Sequence, residues 1–126
     1  MNNFRELSKV PPMKSNSKYR LFGIPNCDTV KKVRDFLEKK KINYEFVDFK
    51  KQPPTVADIQ RWQSFLKAWP VNTKGPTFRK IREQFESASD SQKMKLLIEN
   101  SSAIKRPILE QEGSVQAVGF DTSYYN

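Results

Sequence analysis

Apolar residues recur along this chain in two periods, and the switches between them mark out the elements. Tyr19 to Ile24 (YRLFGI) is short, aromatic and apolar, the pattern of a buried strand, and Pro25 ends it. From Asp28 the apolar residues fall at Val30, Val33, Phe36 and Leu37, with Lys31, Lys32, Arg34, Asp35 and Glu38 between them, which predicts an amphipathic helix. Asp28 and Thr29 suit its start and Lys39-Lys40-Lys41 its end, where the helix dipole favours each charge. Tyr44 to Phe49 (YEFVDF) alternates apolar and polar residues and predicts a second strand. Strand, helix and strand on short links form a βαβ unit, so the two strands are expected to be parallel with a right-handed crossover.

Lys50 to Pro54 is a loop punctuated by Pro53-Pro54. Thr55 caps a helical stretch carrying Val56, Ile59, Trp62, Phe65 and Leu66, which Trp69-Pro70 stops. Val71 to Pro76 is rich in turn residues. Thr77 to Phe85 and Asp90 to Asn100 predict two more amphipathic helices, with Phe78, Ile81, Phe85, Met94, Leu97 and Ile98 as core positions. After Ser101-Ser102 the period returns to that of strands: Ile108 to Glu110, a turn at Glu112-Gly113-Ser114, then Val115 to Val118, a hairpin. Asp121 is expected to open a last short helix ending in Tyr124-Tyr125. The order is therefore βαβ, a helical insert over about residues 55–100, then ββα. The fold class is α/β with a mixed sheet, because a tight hairpin forces antiparallel strands.

Length changes the picture little: 126 residues make one domain. No apolar run approaches the ~20 residues of a membrane span, and Met1 to Ser17 is polar with no signal-peptide pattern. Residues 1–18 are read as a disordered leader or extension, residues 19–126 as the domain, and the cytoplasm as the expected location. A monomer is expected. Charge adds more. The net charge is +9, with 12 Lys+Arg against 6 Asp+Glu in residues 1–50, 9 against 5 in 51–100, and 2 against 3 in 101–126. A solvated basic surface accounts for this, as does attraction of an anionic substrate or of a nucleic-acid-associated protein partner. No motif for direct nucleic-acid binding accompanies it.

Histidine is absent and Cys27 is the only cysteine. Those two facts exclude Ser-His-Asp and Cys-His catalysis and any internal disulfide, and no metal site is expected. Cys27 follows Pro25-Asn26 and precedes the first predicted helix. A thiol there meets unpaired backbone N–H groups and the positive end of the dipole, which favour the thiolate nucleophile. Asn26 and Asp28 flank it. Lys31, Lys32 and Lys74 either line an electropositive mouth around the thiol or are simply solvated. Arg79, in a helical segment, binds an anion or simply pairs with a carboxylate.

Several stretches then occur together in one order: Gly-Ile-Pro-Asn-Cys-Asp-Thr-Val-Lys-Lys at 23–32, Phe78-Arg79-Lys80, Ile104-Lys105-Arg106-Pro107 and Val118-Gly119-Phe120. With them, residues 19–125 resemble the arsenate reductase (ArsC)/Spx family, and its YffB-like branch in particular. The resemblance implies a thioredoxin-like fold: three layers, with a small helical subdomain inserted between the βαβ and ββα halves. It implies that Cys27 is the catalytic cysteine and that Arg106 holds an oxyanion beside it. Thioredoxin-like folds place a cis proline at the entry to the third strand. Pro107 occupies that position, so the Arg106–Pro107 bond is expected to be cis. Asn26, Lys31, Lys74, Arg79 and Pro107 are the expected substrate- or glutathione-binding residues.

The chain departs from the family pattern in two ways. Arsenate reductases proper use further arginines, but Thr73 or Lys74 stands where one belongs, and the segment Val118 to Asp121 supplies no other. Lysine brings charge without the bidentate fork of arginine. Spx regulators carry a Cys-x-x-Cys switch, and the second position here is Val30. Two functions follow as expectations. One is a thiol reductase acting on a disulfide or oxyanion, with no bound cofactor and glutathione as the external thiol. The other is a non-enzymatic, transcription-associated adaptor of the Spx kind.

Overall fold

A computed structural model describes residues 18–125; apart from Lys18, the expected leader lies outside the described residues. The elements are β1 (Tyr19–Gly23), α1 (Asp28–Lys39), β2 (Tyr44–Asp48), α2 (Val56–Leu66), α3 (Pro76–Glu86), α4 (Asp90–Glu99), a 3-10 turn (Ser101–Ala103), β3 (Ile108–Gln111) and β4 (Ser114–Val118). Thr55 builds the start of α2 as its sequence promises: its hydroxyl accepts from Asp58 N, and the Asp58 carboxylate accepts from Thr55 N. Pro76 opens α3, where a missing N–H costs nothing.

The sheet order is β2-β1-β3-β4. β1 and β2 are parallel, Tyr19 facing Tyr44 and Gly23 facing Asp48. β3 runs antiparallel to both β1 and β4. The C-terminal ends of β1, β2 and β4 and the start of β3 therefore share one end of the sheet, and α1 begins there.

Alternation along the strands builds two cores. Leu21, Leu109 and Ala117 face Val33 and Leu37 of α1. Phe22, Val47 and Ile108 face Ile59 and Trp62 of α2, with Phe78, Ile81 and Phe85 of α3 and Leu96 and Leu97 of α4 behind them. The result is three layers: α1, the sheet, and the helical insert. A bulge sharpens the second core. The pairing shifts between Leu109 and Glu110, leaving Gln116 as an extra residue on β4. Val115 and Val118, three apart and so on opposite faces of a regular strand, thereby both pack on the α2 side.

The same pleat points Glu110 inward, where it is 1% exposed. Its carboxylate accepts from Trp62 Nε1 at 2.7 Å and from Arg61 Nε and Nη2 at 3.0 and 3.1 Å. Arg61 also holds Asp58 at 2.7 Å.

Two expectations need correction. The last helix, expected from Asp121, is a single turn. The Asp121 carboxylate accepts from Ser123 N and Oγ, and its carbonyl accepts from Tyr124 N and Tyr125 N. Thr122 and Ser123 favour such local bonding over helix, and five residues are too few to repay nucleation. The second predicted helix stops at Leu66, ahead of Trp69-Pro70, because Lys67 turns left-handed at φ 57°.

Candidate active site

Cys27 is the N-cap of α1, in extended conformation at φ −143° and ψ 123°. Its carbonyl accepts from Lys31 N at 3.0 Å, closing the first turn. The N–H groups of Asp28, Thr29 and Val30 precede that bond and have no partner within the helix. The thiol makes no capping hydrogen bond with these donors. Cys27 is half-buried and packs on the core that holds Phe22, Ile24 and Trp62. Asn26 and Asp28 beside it are exposed, so water screens the Asp28 charge from the thiol.

Arg106 reaches the same end of the sheet through close packing. A methyl group on Gly23 would lie 3.0 Å from Val30 Cγ2 and 3.8 Å from Arg106 Cβ. Glycine at 23 thus lets the end of β1, the first turn of α1 and the Arg106 segment ahead of β3 converge. The Arg106–Pro107 peptide is cis, as the resemblance implies. Arg106 Nη1 donates to the carbonyls of Ser102 and Ile104, which anchors the guanidinium to the 3-10 turn. Its Nε is buried and has no hydrogen-bond partner among the described residues. A buried unpaired donor carries a desolvation cost that an anion would relieve.

A loop from the insert is tied to this segment. Val71 bridges Ile104, Asn72 N donates to Ala103 O at 2.8 Å, and Lys105 N donates to Pro70 O at 3.0 Å. Arg82 Nη2 holds Thr73 O at 3.0 Å. The loop carries Lys74, exposed, to the neighbourhood of the Arg106 segment.

The structure thus brings Cys27, Lys31, Arg106 and Pro107 to one end of the sheet, with Lys74 on a loop bridged to that end. Asn26 lies exposed next to the thiol. Arg79 is exposed on the first turn of α3, without an ion pair among the described residues. Gly23 and the Ser102 carbonyl were not assigned from the sequence. Gly23 has a signal, a glycine inside an apolar strand, which marks close backbone approach; a backbone carbonyl has none.

A model of the ArsC family matches residues 22–126. The chain belongs to the ArsC family. The solved YffB protein superposes with a TM-score of 0.72 at 32% identity, over 86% of this chain and 99% of that one. A possible arsenate reductase from Streptococcus mutans gives 0.72 at 26% identity, over 86% and 96%. The global transcriptional regulator Spx of Streptococcus agalactiae is 27% identical over 104 residues, 80% of this chain and 75% of the regulator. The fold of this ArsC-family chain is accordingly thioredoxin-like. Among its described residues no helix is long and apolar enough to cross a membrane.

Proposed function

We propose that this ArsC-family protein is a thiol-dependent reductase with Cys27 as nucleophile and glutathione as the external thiol. One observation carries the reading: the sole cysteine caps α1 at the sheet end that also holds Arg106 and Pro107. With a disulfide substrate RS–SR, the Cys27 thiolate forms a bond to one sulfur and the S–S bond breaks. The leaving thiolate RS⁻ departs and takes a proton. A glutathione thiolate then attacks the Cys27–S–SR adduct, releasing Cys27 and carrying RS away as a mixed disulfide with glutathione. A second glutathione thiolate attacks that mixed disulfide, releasing RS⁻, which takes a proton, and leaving oxidised glutathione, so that RS–SR is reduced by two electrons to two thiols and two glutathiones are oxidised to one disulfide. Arg106 holds a carboxylate of the incoming glutathione in this cycle.

A disulfide substrate fits the residues better than arsenate does. Thr73 or Lys74 stands where a second arginine would be needed for a tetrahedral oxyanion, and neither has the fork. The cycle requires reduced glutathione, which places it in a reducing compartment such as the cytoplasm.

The similarity to Spx favours a second reading, an adaptor that binds a protein and turns nothing over. A glutathione-coupled assay with hydroxyethyl disulfide, comparing wild type with Cys27→Ser, separates the two. Turnover that vanishes in Cys27→Ser supports the reductase. No turnover in wild type, with protein capture indifferent to Cys27→Ser, supports the adaptor.

A further inference from the structure

The sheet has two edges, and they differ. β4 carries the bulge at Gln116, which breaks the regular ladder that an added strand would need. β2, the other edge, stays in register with β1 over all five of its residues, and none of them is a proline or a lysine. Phe49 N donates to Gly23 O, so the alternation of the strand turns the N–H and C=O groups of Tyr44 and Phe46 away from β1. Among the described residues no other backbone group pairs with them.

Side chains of α1 and β2 enclose a groove of about 420 Å³ along this edge, lined in part by Arg34, Glu38, Lys41, Tyr44 and Phe46. Arg34 is fixed there from two sides. Its guanidinium carbon lies 4.1 Å from the centroid of the Phe46 ring, and its Nε donates to Tyr44 Oη at 2.9 Å. Tyr44 Oη in turn donates to Glu38 Oε2 at 2.8 Å. Among the described residues Arg34 makes no ion pair with Glu38 or any other carboxylate, and neither Nη has a hydrogen-bond partner. The outer half of the fork is therefore positioned and open to a carboxylate from outside. Lys41, exposed in the turn after α1, brings a second cation to the groove. Glu38 is the only carboxylate among the lining residues, and Glu45, on the other face of β2, is paired with Arg20.

We propose that the open edge of β2 is a docking site for an extended acidic peptide, which adds a fifth strand to the sheet and sets a carboxylate on Arg34 and Lys41. Main-chain bonds to Tyr44 and Phe46 fix the register of the peptide, and charge complementarity with the groove selects its sequence. The groove lies toward the end of the sheet where Tyr19 faces Tyr44, opposite the end that holds Cys27, so the proposal does not rest on the thiol chemistry.

The test is fluorescence anisotropy at low salt, with the full chain and a fluorescein-labelled peptide Ser-Glu-Val-Glu-Val-Glu-Ser. In a strand, alternation puts all its carboxylates on one face. Wild type binds this peptide saturably and binds the counterpart with lysine for glutamate about tenfold more weakly. Arg34→Gln weakens the acidic peptide about five- to tenfold. Lys95→Gln, which removes the same charge from the exposed face of α4, changes the affinity less than about twofold. Two N-methylated peptides, one blocked at the valine amides and one at the glutamate amides, test strand addition itself. Only alternate N–H groups face a neighbouring strand, so one methylated peptide stays within about threefold of the parent and the other binds about tenfold more weakly. Circular dichroism melts confirm that both protein variants are folded. No saturable binding, equal affinity for the acidic and lysine peptides, equal effects of Arg34→Gln and Lys95→Gln, or equal affinity for the two methylated peptides each overturn the proposal. A chain that is dimeric at the same concentrations and becomes monomeric in Arg34→Gln assigns the edge to a second copy and overturns it as well.

Discussion

Trp62 donates its indole N–H to Glu110 Oε2 at 2.7 Å, joining α2 to β3 across the core. The carboxylate is 1% exposed, and Arg61 closes it from the solvent side. The contact fixes the insert on the sheet, and with it the loop that is bridged to the segment before Arg106.

Removing that carboxylate strands two donors. Glu110→Ala is expected to cost about 2–3 kcal/mol in urea denaturation, less than a fully buried pair because Arg61 still reaches water. Trp62→Phe keeps the ring packing against Phe22 and Phe49 and loses one charge-assisted bond, for about 1.5–3 kcal/mol.

Gly23 is the packing point between the thiol helix and Arg106. Gly23→Ala pushes against Val30 and is expected to lower stability by about 1–3 kcal/mol and to slow modification of Cys27. Val30→Ala introduced beside it makes room for the methyl group. Comparing the rate of glutathione adduct formation in the single and double variants checks this; recovery in the double is the expected outcome.

Arg106 is expected to matter to the reaction more than to the fold. Arg106→Lys keeps the charge but loses the planar fork that spans Ser102, Ile104 and an incoming anion. Its kcat/KM in the glutathione-coupled assay should fall about 10- to 100-fold, with a melting temperature close to that of wild type.

Tyr125 sets an alkaline limit. Burial, followed by the neighbouring Tyr124 and Asp121 charges, raises its pKa well above the ordinary 10.0, and its hydroxyl has no hydrogen-bond partner among the described residues. The folded state therefore keeps a proton that the unfolded state gives up. Stability is complete below about pH 10 and declines as pH rises toward the folded value. Tyr125→Phe removes the unpaired hydroxyl. Denaturation at pH 7 should show stability unchanged or raised by up to ~1 kcal/mol, and the loss between pH 9 and pH 11 should be shallower. Some slope persists, because burial also raises Tyr19, Tyr44 and Tyr124.

Where local chemistry and long-range packing agree, the sequence is a good guide. Val30, Val33 and Leu37 at helical spacing, Thr55 with Asp58, and the Glu112-Gly113 turn each specify their element from neighbouring residues alone. Glu110 shows the limit. A glutamate at the end of an apolar strand reads as outward-facing, and only Arg61 and Trp62, nearly fifty positions away, make its burial tolerable. The bulge at Gln116 is hidden for a similar reason, since Val115 and Val118 share a face only once β3 sets the register. In the site, Cys27 is legible from its place before a helix. Arg106 is legible from the family resemblance, because nothing local distinguishes it from a surface arginine. The expected helix from Asp121 failed because its residues satisfy one another within a single turn.

As the proposed nucleophile, Cys27 is expected to hand its adduct to glutathione. Intact-protein mass spectrometry after brief exposure to oxidised glutathione tests it most directly. Wild type is expected to gain a single glutathionyl adduct on Cys27, absent in Cys27→Ser and removed by reduced glutathione. A wild-type protein that stays unmodified, while iodoacetamide labels the same cysteine readily, would contradict it.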